Sequence, residues 1–339
     1  MGTTVHSIGT ASRDYSTLQA WEDAAPANLV TDGNIWQGQC YNDSEFTAGV
    51  VISGSTSDST HYKELTCASG QSFQDNANVR TNALTYNQSN GVGVNAASDA
   101  TALVQMLEDY CRVSKLQIKK TGAFQAVVSN NKTGNILKDC IIVATNNSID
   151  RILDVAGGSG TCTYANLLVI NTGSGSGSPA FVVSAGTPLI VGCSVVRLTS
   201  QTAAGTGYLT GTSGAILQSC TSFGFTTCAS GTWDTTNSKD NATEQSSGFP
   251  GSGNQYSVTY NATTPFTQAG SSGTDLRSIA STTLAANGFL DSTNAPKDIS
   301  ATSRANPPTI GHWELTGGGG GPAAILGLPQ FGLMGAGTA

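Results

Sequence analysis

The sequence predicts an all-β chain wound into a parallel solenoid. Two observations carry that prediction: a repeat of about 26 residues, and a composition suited to short strands and turns. The repeat is visible when VSKLQIKK from Val113, LKDCIIVA from Leu137, YANLLVIN from Tyr164, IVGCSVVR from Ile190 and LQSCTSFG from Leu217 are set in register. The fourth residues, Leu116, Cys140, Leu167, Cys193 and Cys220, lie 24, 27, 26 and 27 positions apart. A period of 20–30 residues built from short strands marks a solenoid, because one turn cannot bury its inner face alone and stacked turns can. The composition agrees. Charged residues make up 11 % of the chain, against about 25 % in ordinary domains. Salt-bridged helices would need more, whereas Gly, of which there are 41, and the hydroxyl and amide side chains suit turns.

Each repeat reads the same way. An apolar residue opens it. Two residues later come Lys115, Asp139, Asn166, Gly192 or Ser219, of which all but Lys115 are turn formers, so a corner is expected there. From the fourth residue onward the period is two, the mark of a strand. Leu116, Cys140, Leu167, Cys193 and Cys220 are thus expected to form an inward column on rungs about 4.8 Å apart. Cys111 and Cys162 form a second column two rungs apart, roughly 9.6 Å, which is too far for a disulfide. Free cysteine packs as a small hydrophobe, so all eight cysteines are expected to be reduced. They include no CxxC pair, so no zinc site or other metal is expected.

Before the repeats, SRDYSTLQAWEDAAP predicts a short helix. Ser16 with Gln19 reads as a capping box, Leu18 and Trp21 share a face, and Pro26 ends the helix. Solenoid ends need caps, so Glu22 and Asp23 are read as parts of a plug rather than as catalytic acids. Residues 31–110 hold further strand-like runs such as GVVISG and NGVGVN, and 229–272 read as long loops or a decorated last rung. The expected organisation is a cap over 1–30, a β-helix with its end seal over 31–315, and a glycine linker with an apolar tail over 316–339. The tail is uncharged and carries Ile325, Leu326, Leu328, Phe331, Leu333 and Met334, so it is expected to dock on a neighbouring subunit.

The charge pattern bounds function. The net charge is −7, and Lys119–Lys120, the one adjacent basic pair, reads as a solvated strand edge, so nucleic-acid binding is not expected. No apolar run is long enough to span a membrane, and MGTTVHSIGT lacks the basic-then-apolar form of a signal peptide. The expectation is a chain made in a cytoplasm without a cleaved leader. Polysaccharide cleavage needs two carboxylates across the sugar bond, or a base with bound calcium. The repeats offer few acids, among them Asp139, Asp150, Asp154, Asp234, Asp240 and Glu244, with no Asp-x-Asp pair. Asp150 and Asp154 beside Arg151 read as a turn salt bridge. His6, His61 and His312 are scattered, with no serine or cysteine partner evident. No catalytic residue and no cofactor is expected.

DYSTLQAWEDAAP, the rungs, and the segment DISATSRANPPTIGHWEL resemble right-handed parallel β-helix repeat proteins, a loose group common in phage and environmental bacterial genomes. Its closing segment has the form D-x-x-G-x-x-R…D-I-G-A-x-E. Asp298, Arg304, Ile310, Gly311 and Glu314 match it, while Thr302 or Ser303 replaces its Gly and His312 its small Ala. The resemblance covers about residues 8–315 and implies the fold; activity varies across the group. It further implies a right-handed coil, a last rung sealed by residues 298–315, and assembly as a homo-oligomer, commonly a trimer. With the missing leader and the apolar tail, it points to a non-enzymatic structural protein of a virus particle. Such a protein would be a capsid decoration or tail component, located in the virion among other virion proteins. The alternative is a glycan-binding or glycan-depolymerising tail spike or adhesin acting on host surface glycan, as a polysaccharide lyase or glycoside hydrolase.

Overall fold

The computed structural model describes residues 2–97, 101–123, 126–145, 151–156, 160–173, 179–270, 274–280 and 283–315. The tail residues Ile325 to Met334, and Asp150, lie outside them.

Each repeat begins with a short strand, and in-register parallel pairing stacks these strands into a first sheet. Leu137 pairs with Val113 and Tyr164, and Ile190 pairs with Tyr164 and Leu217, which are the offsets read from the sequence. At the next corner the chain turns through left-handed backbone. Lys115, Asp139, Asn166, Gly192 and Ser219 have φ of 65°, 55°, 53°, 62° and 51°. Asp, Asn and Gly accept that region at low cost, which is why they recur there. Beyond the corner, strands such as Ile141–Ala144, Leu168–Asn171 and Ser194–Arg197 form a second sheet, and strands such as Leu153–Val155 and Phe181–Val183 form a third. Among the described residues the three sheets hold eight, seven and seven strands. The whole is a parallel β-solenoid of about six turns. The runs GVVISG and NGVGVN supply Val50–Ile52 of the third sheet and Gly93–Ala96 of the second.

Leu116, Cys140, Leu167, Cys193 and Cys220 are all fully buried inside the tube, each next to the corner of its own turn. An aromatic file runs beside them, with ring centroids 5.2 Å apart for Tyr164–Phe181 and 5.8 Å for Phe181–Tyr208. Lys120 departs from expectation. It shares the inward phase of Leu116 and Ile118 and is fully buried, with its ammonium donating to Thr101 O at 2.9 Å. Lys119 faces outward, 5.5 Å from the Tyr86 ring.

The first sheet begins ahead of the cap helix, at Gly2–Ile8, which pairs with Asn34–Cys40. Helix α1 (Leu18–Asp23) follows. Its cap is Thr17, whose hydroxyl accepts from Ala20 N at 3.0 Å, rather than Ser16. The helix closes the N-terminal edge of the third sheet by imitating a strand. Gln19 Oε1 accepts from Val51 N at 2.8 Å, and Glu22 Oε1 accepts from Ser53 N at 2.8 Å. At the other end, residues 238–255 add single bridges beyond the last full strands.

A second hydrophobic core lies outside the tube. Ile141, Val143, Leu168, Ile170, Val196 and Phe223 point away from the lumen and are covered by Phe73, Leu84, Phe266, Leu276, Ile299, Ile310 and Trp313. The segment expected to seal the last rung therefore packs along the flank of the second sheet. The reason is apolar: a face of Ile, Leu, Val and Phe must be covered, each such side chain gaining about 1.5–3 kcal/mol on burial.

Candidate functional site

Among the described residues, chemistry-bearing side chains gather at the N-terminal end of the tube and in the flank strap. At the first, Lys63 belongs to Lys63–Cys67, whose alternate residues Lys63, Leu65 and Cys67 point inward. Its ammonium is therefore carried into the lumen, where it is 1 % exposed. Such a charge must be paired. Lys63 Nζ lies 2.7 Å from Glu22 Oε1 and 3.0 Å from Glu108 Oε2, and donates to Ser53 O at 2.5 Å. Glu108 Oε2 also accepts from Ser55 N at 2.8 Å, and Glu22 Oε2 from Gln19 Nε2 at 3.0 Å. The helix plug is thus held by an internal ion pair as well as by Leu18 and Trp21. Two carboxylates do meet here, but an ammonium fills the space between them. A sugar bond has no access to that space, and the acid–base pair of glycoside hydrolysis needs it open.

Beside this cluster lies a cleft of about 380 Å³ lined by Ser55, Thr56, Ser57, Glu108, Asp109 and Lys132, with Gly54 and Leu107. Asp109 Oδ1 accepts from Thr133 N at 2.8 Å, and Ser57 Oγ donates to Asp109 O. Its walls carry hydroxyls, one exposed cation and carboxylates, a donor and acceptor set that fits sugar hydroxyls.

The flank strap is knitted by charge. Arg304 Nη2 donates to Asn166 Oδ1 at 2.9 Å and to Gly311 O at 2.7 Å. Asn166 Nδ2 in turn donates to Asp139 Oδ1 at 2.9 Å and to Lys297 O at 2.7 Å. Burial raises the Asp139 carboxyl above its usual range, while the Asn166 amide pulls it back. Arg80 pairs with the fully buried Asp298 at 3.0 Å and stacks 3.9 Å from the Trp313 ring centroid. Glu314 lies 3.8 Å from Arg304 and accepts from Thr309 N. The matched residues Asp298, Arg304, Ile310, Gly311 and Glu314 thus hold the strap to the side of the rod.

His312 has the serine partner that the sequence hid. Its Nδ1 lies 2.6 Å from Ser194 Oγ, and its Nε2 lies 3.0 Å from Leu276 O. A carbonyl only accepts, so Nε2 carries the proton and Nδ1 accepts from Ser194. Burial drives the ring pKa down to about 3, so the imidazole is neutral. Both residues are 1 % exposed, and the Ser194 hydroxyl is turned into the strap, so the pair is a clasp rather than a nucleophile with its base. The separation of 118 residues concealed it. His61 Nδ1 pairs with Asp58 at 3.0 Å in a turn, and the His6 ring lies 4.0 Å from that of Trp36. Arg151 binds Asp154 at 2.9 Å, as expected of a turn salt bridge.

All eight cysteines are free and buried. Desolvation pushes the Cys140 thiol up to about 12 and Cys193 well above the ordinary value, so these two are packing groups, not nucleophiles. Among the described residues no group of three or more His, Cys, Asp or Glu side chains could hold a metal ion, and no helix is long and apolar enough to cross a membrane.

Neither Lys63 nor Glu108 was singled out by sequence. The available signal was KELTC, a strand in which Lys63 shares the phase of Leu65 and Cys67. Comparison with known protein families, curated proteins and solved structures finds no match.

Proposed function

We propose that this chain is a non-enzymatic structural rod of a virus particle, a capsid decoration or tail component, that assembles with its own copies through residues 316–339. The observation that carries this reading is the double-sided burial of the second sheet. Strands Ile141–Ala144 and Leu168–Asn171 are buried at every position, with the lumen on one side and the strap on the other. That construction stiffens a rod along its flank instead of opening a groove there. The carboxylates of the two charged clusters, Glu22, Glu108, Asp139, Asp298 and Glu314, are held in hydrogen bonds that tie segments together. The virion assignment follows the resemblance of the sequence to β-helix repeat proteins. Two measurements test the proposal. Mass spectrometry of gradient-purified particles should recover peptides of this chain in stoichiometric amount, and their absence overturns the viral assignment. Sedimentation should show the full chain associated and a chain ending at Leu315 monomeric; unchanged association of the shorter chain overturns the role of the tail.

A second reading, as a glycan-binding or glycan-depolymerising protein, is favoured by the hydroxyl-rich cleft around Ser55, Ser57, Asp109 and Lys132. Incubation with host surface polysaccharides separates the two. Release of reducing ends or unsaturated sugars establishes the second reading and sinks the first.

A further inference from the structure

The three sheets end differently at the N-terminal face of the rod. The outermost strand of the third sheet is Val50–Ile52, and its Val51 N–H is bound by Gln19. That of the second is Gly93–Ala96, where Phe46 bridges Val94 by accepting from Asn95 N and donating to Gly93 O, both at 2.9 Å. That of the first is Gly2–Ile8, seven residues long. Gly2 N donates to Gly33 O and Ile8 O accepts from Tyr41 N, so the even residues of this strand face its neighbour. The odd residues face outward. Ser7 is closed there, its N–H by Asp14 Oδ2 at 2.7 Å and its carbonyl by Tyr15 N at 3.1 Å. By the same alternation, Thr3 and Val5 turn their N–H and C=O groups to the open edge, and among the described residues no partner meets them there. Both residues are exposed, and Val5 is 50 % exposed. GTTVHSI carries no charge and no proline, the usual guards of a free edge.

The geometry points to this edge as a docking site for an extended strand, and its occupant as residues 323–328 of a second copy of this chain. This rests on the assembly reading given above. The argument for the occupant lies in the chain beyond Leu315. Those 24 residues contain no charged side chain, and AAILGL at 323–328 is a proline-free run between Pro322 and Pro329. A run of six is long enough to pair with the stretch of edge left open, from Thr3 to Val5. The five glycines from Gly317 to Gly321 supply a tether, and residues 316–322 span at most about 25 Å when extended. Strand addition of this kind takes its affinity from main-chain hydrogen bonds and its selectivity from alternate side chains.

The test uses full-length chains, with a chain ending at Leu315 for comparison. Val5→Pro removes an outward N–H that the ladder does not use, and proline is tolerated on an edge. Val5→Thr keeps the N–H. Sedimentation should find wild type and Val5→Thr associated, and Val5→Pro monomeric with an unchanged circular dichroism spectrum. Association of a folded Val5→Pro chain, while a chain ending at Leu315 is monomeric, overturns this edge as the site and leaves the tail reading standing. Association of the chain ending at Leu315 overturns both. Cysteine trapping identifies the occupant. Mixing Val5→Cys with Leu326→Cys chains should give a covalent heterodimer that neither gives alone. A Val5→Cys homodimer as the dominant product overturns the tail strand in favour of edge-to-edge pairing.

Discussion

At Asp139, Asn166 and Gly192 three successive turns pass through left-handed backbone, and one guanidinium rests on that corner. A Cβ added to Gly192 would lie 2.7 Å from Arg304 Nη2 and 2.9 Å from Asn166 Oδ1, at a φ of 62°. Gly192→Ala therefore strains the backbone and loosens the Arg304 contact, and denaturant titration should show a loss of about 2 kcal/mol. Lys115 has the same conformation without the means to favour it, so Lys115→Gly should gain about 0.5–1 kcal/mol in the same titration. At the tube end, Lys63→Met removes the ammonium that two buried carboxylates share. The expected loss is about 3–5 kcal/mol, and recovery in the triple variant with Glu22→Gln and Glu108→Gln would show that the penalty is charge. His312 supplies a pH dependence. Its folded pKa is about 3 against an ordinary 6.5, so between those values the unfolded chain binds the extra proton. Its contribution is complete above pH 6.5 and falls by about 1.4 kcal/mol per pH unit below it. Asp139, raised by burial, acts with the opposite sign. The difference in stability between wild type and His312→Gln, measured from pH 7 to 4, isolates the histidine, and a pH-independent difference would exclude it.

At the scale of elements, the rungs were legible because like positions repeat. Val113, Leu137, Tyr164, Ile190 and Leu217 announce the register, and Asp139, Asn166 and Gly192 announce the corner. The strap was legible as residues and misplaced in space. The sequence pattern marks Asp298, Arg304 and Glu314, but that pattern does not carry the face that their segment covers. The signal lay in IIVA and LVIN, apolar on both alternate phases, which marks a strand buried on two faces. The Lys63 cluster was hidden for another reason. Its members lie 41 and 45 residues apart, with Glu22 on helix α1 and Lys63 on a strand, and no local pattern pairs them. The strap also makes a dynamic prediction. Arg80→Ala removes the one guanidinium that both pairs with Asp298 and stacks on Trp313. Amide exchange over residues 298–315 should then speed up at least tenfold, while Leu168–Asn171 stays protected by its ladder. Equal acceleration in both would mean that the strap and the sheet open as one.

At the scale of the whole molecule, a solenoid alone is a chain of nearest-neighbour contacts and can unfold in pieces. Here Arg304 and His312 tie turns that contain Asn166 and Ser194, and Gln74 and Arg80 reach Ile299 and Asp298 across more than 200 residues. Such ties couple distant turns. Calorimetry of the full chain should give one transition whose van't Hoff and calorimetric enthalpies agree. A chain cut after Pro296 should show a broadened or split one.

Those same long-distance ties dictate an order of events at the ribosome. Turns can stack as they emerge, since each needs only its predecessor. The greasy outer wall around Leu168 and Ile170 cannot be fully covered until Phe266, Leu276, Ile299, Ile310 and Trp313 have been synthesised. Nearly half of the polypeptide is made during that interval, which is when a nascent molecule is most open to capture by chaperones or by another unfinished copy.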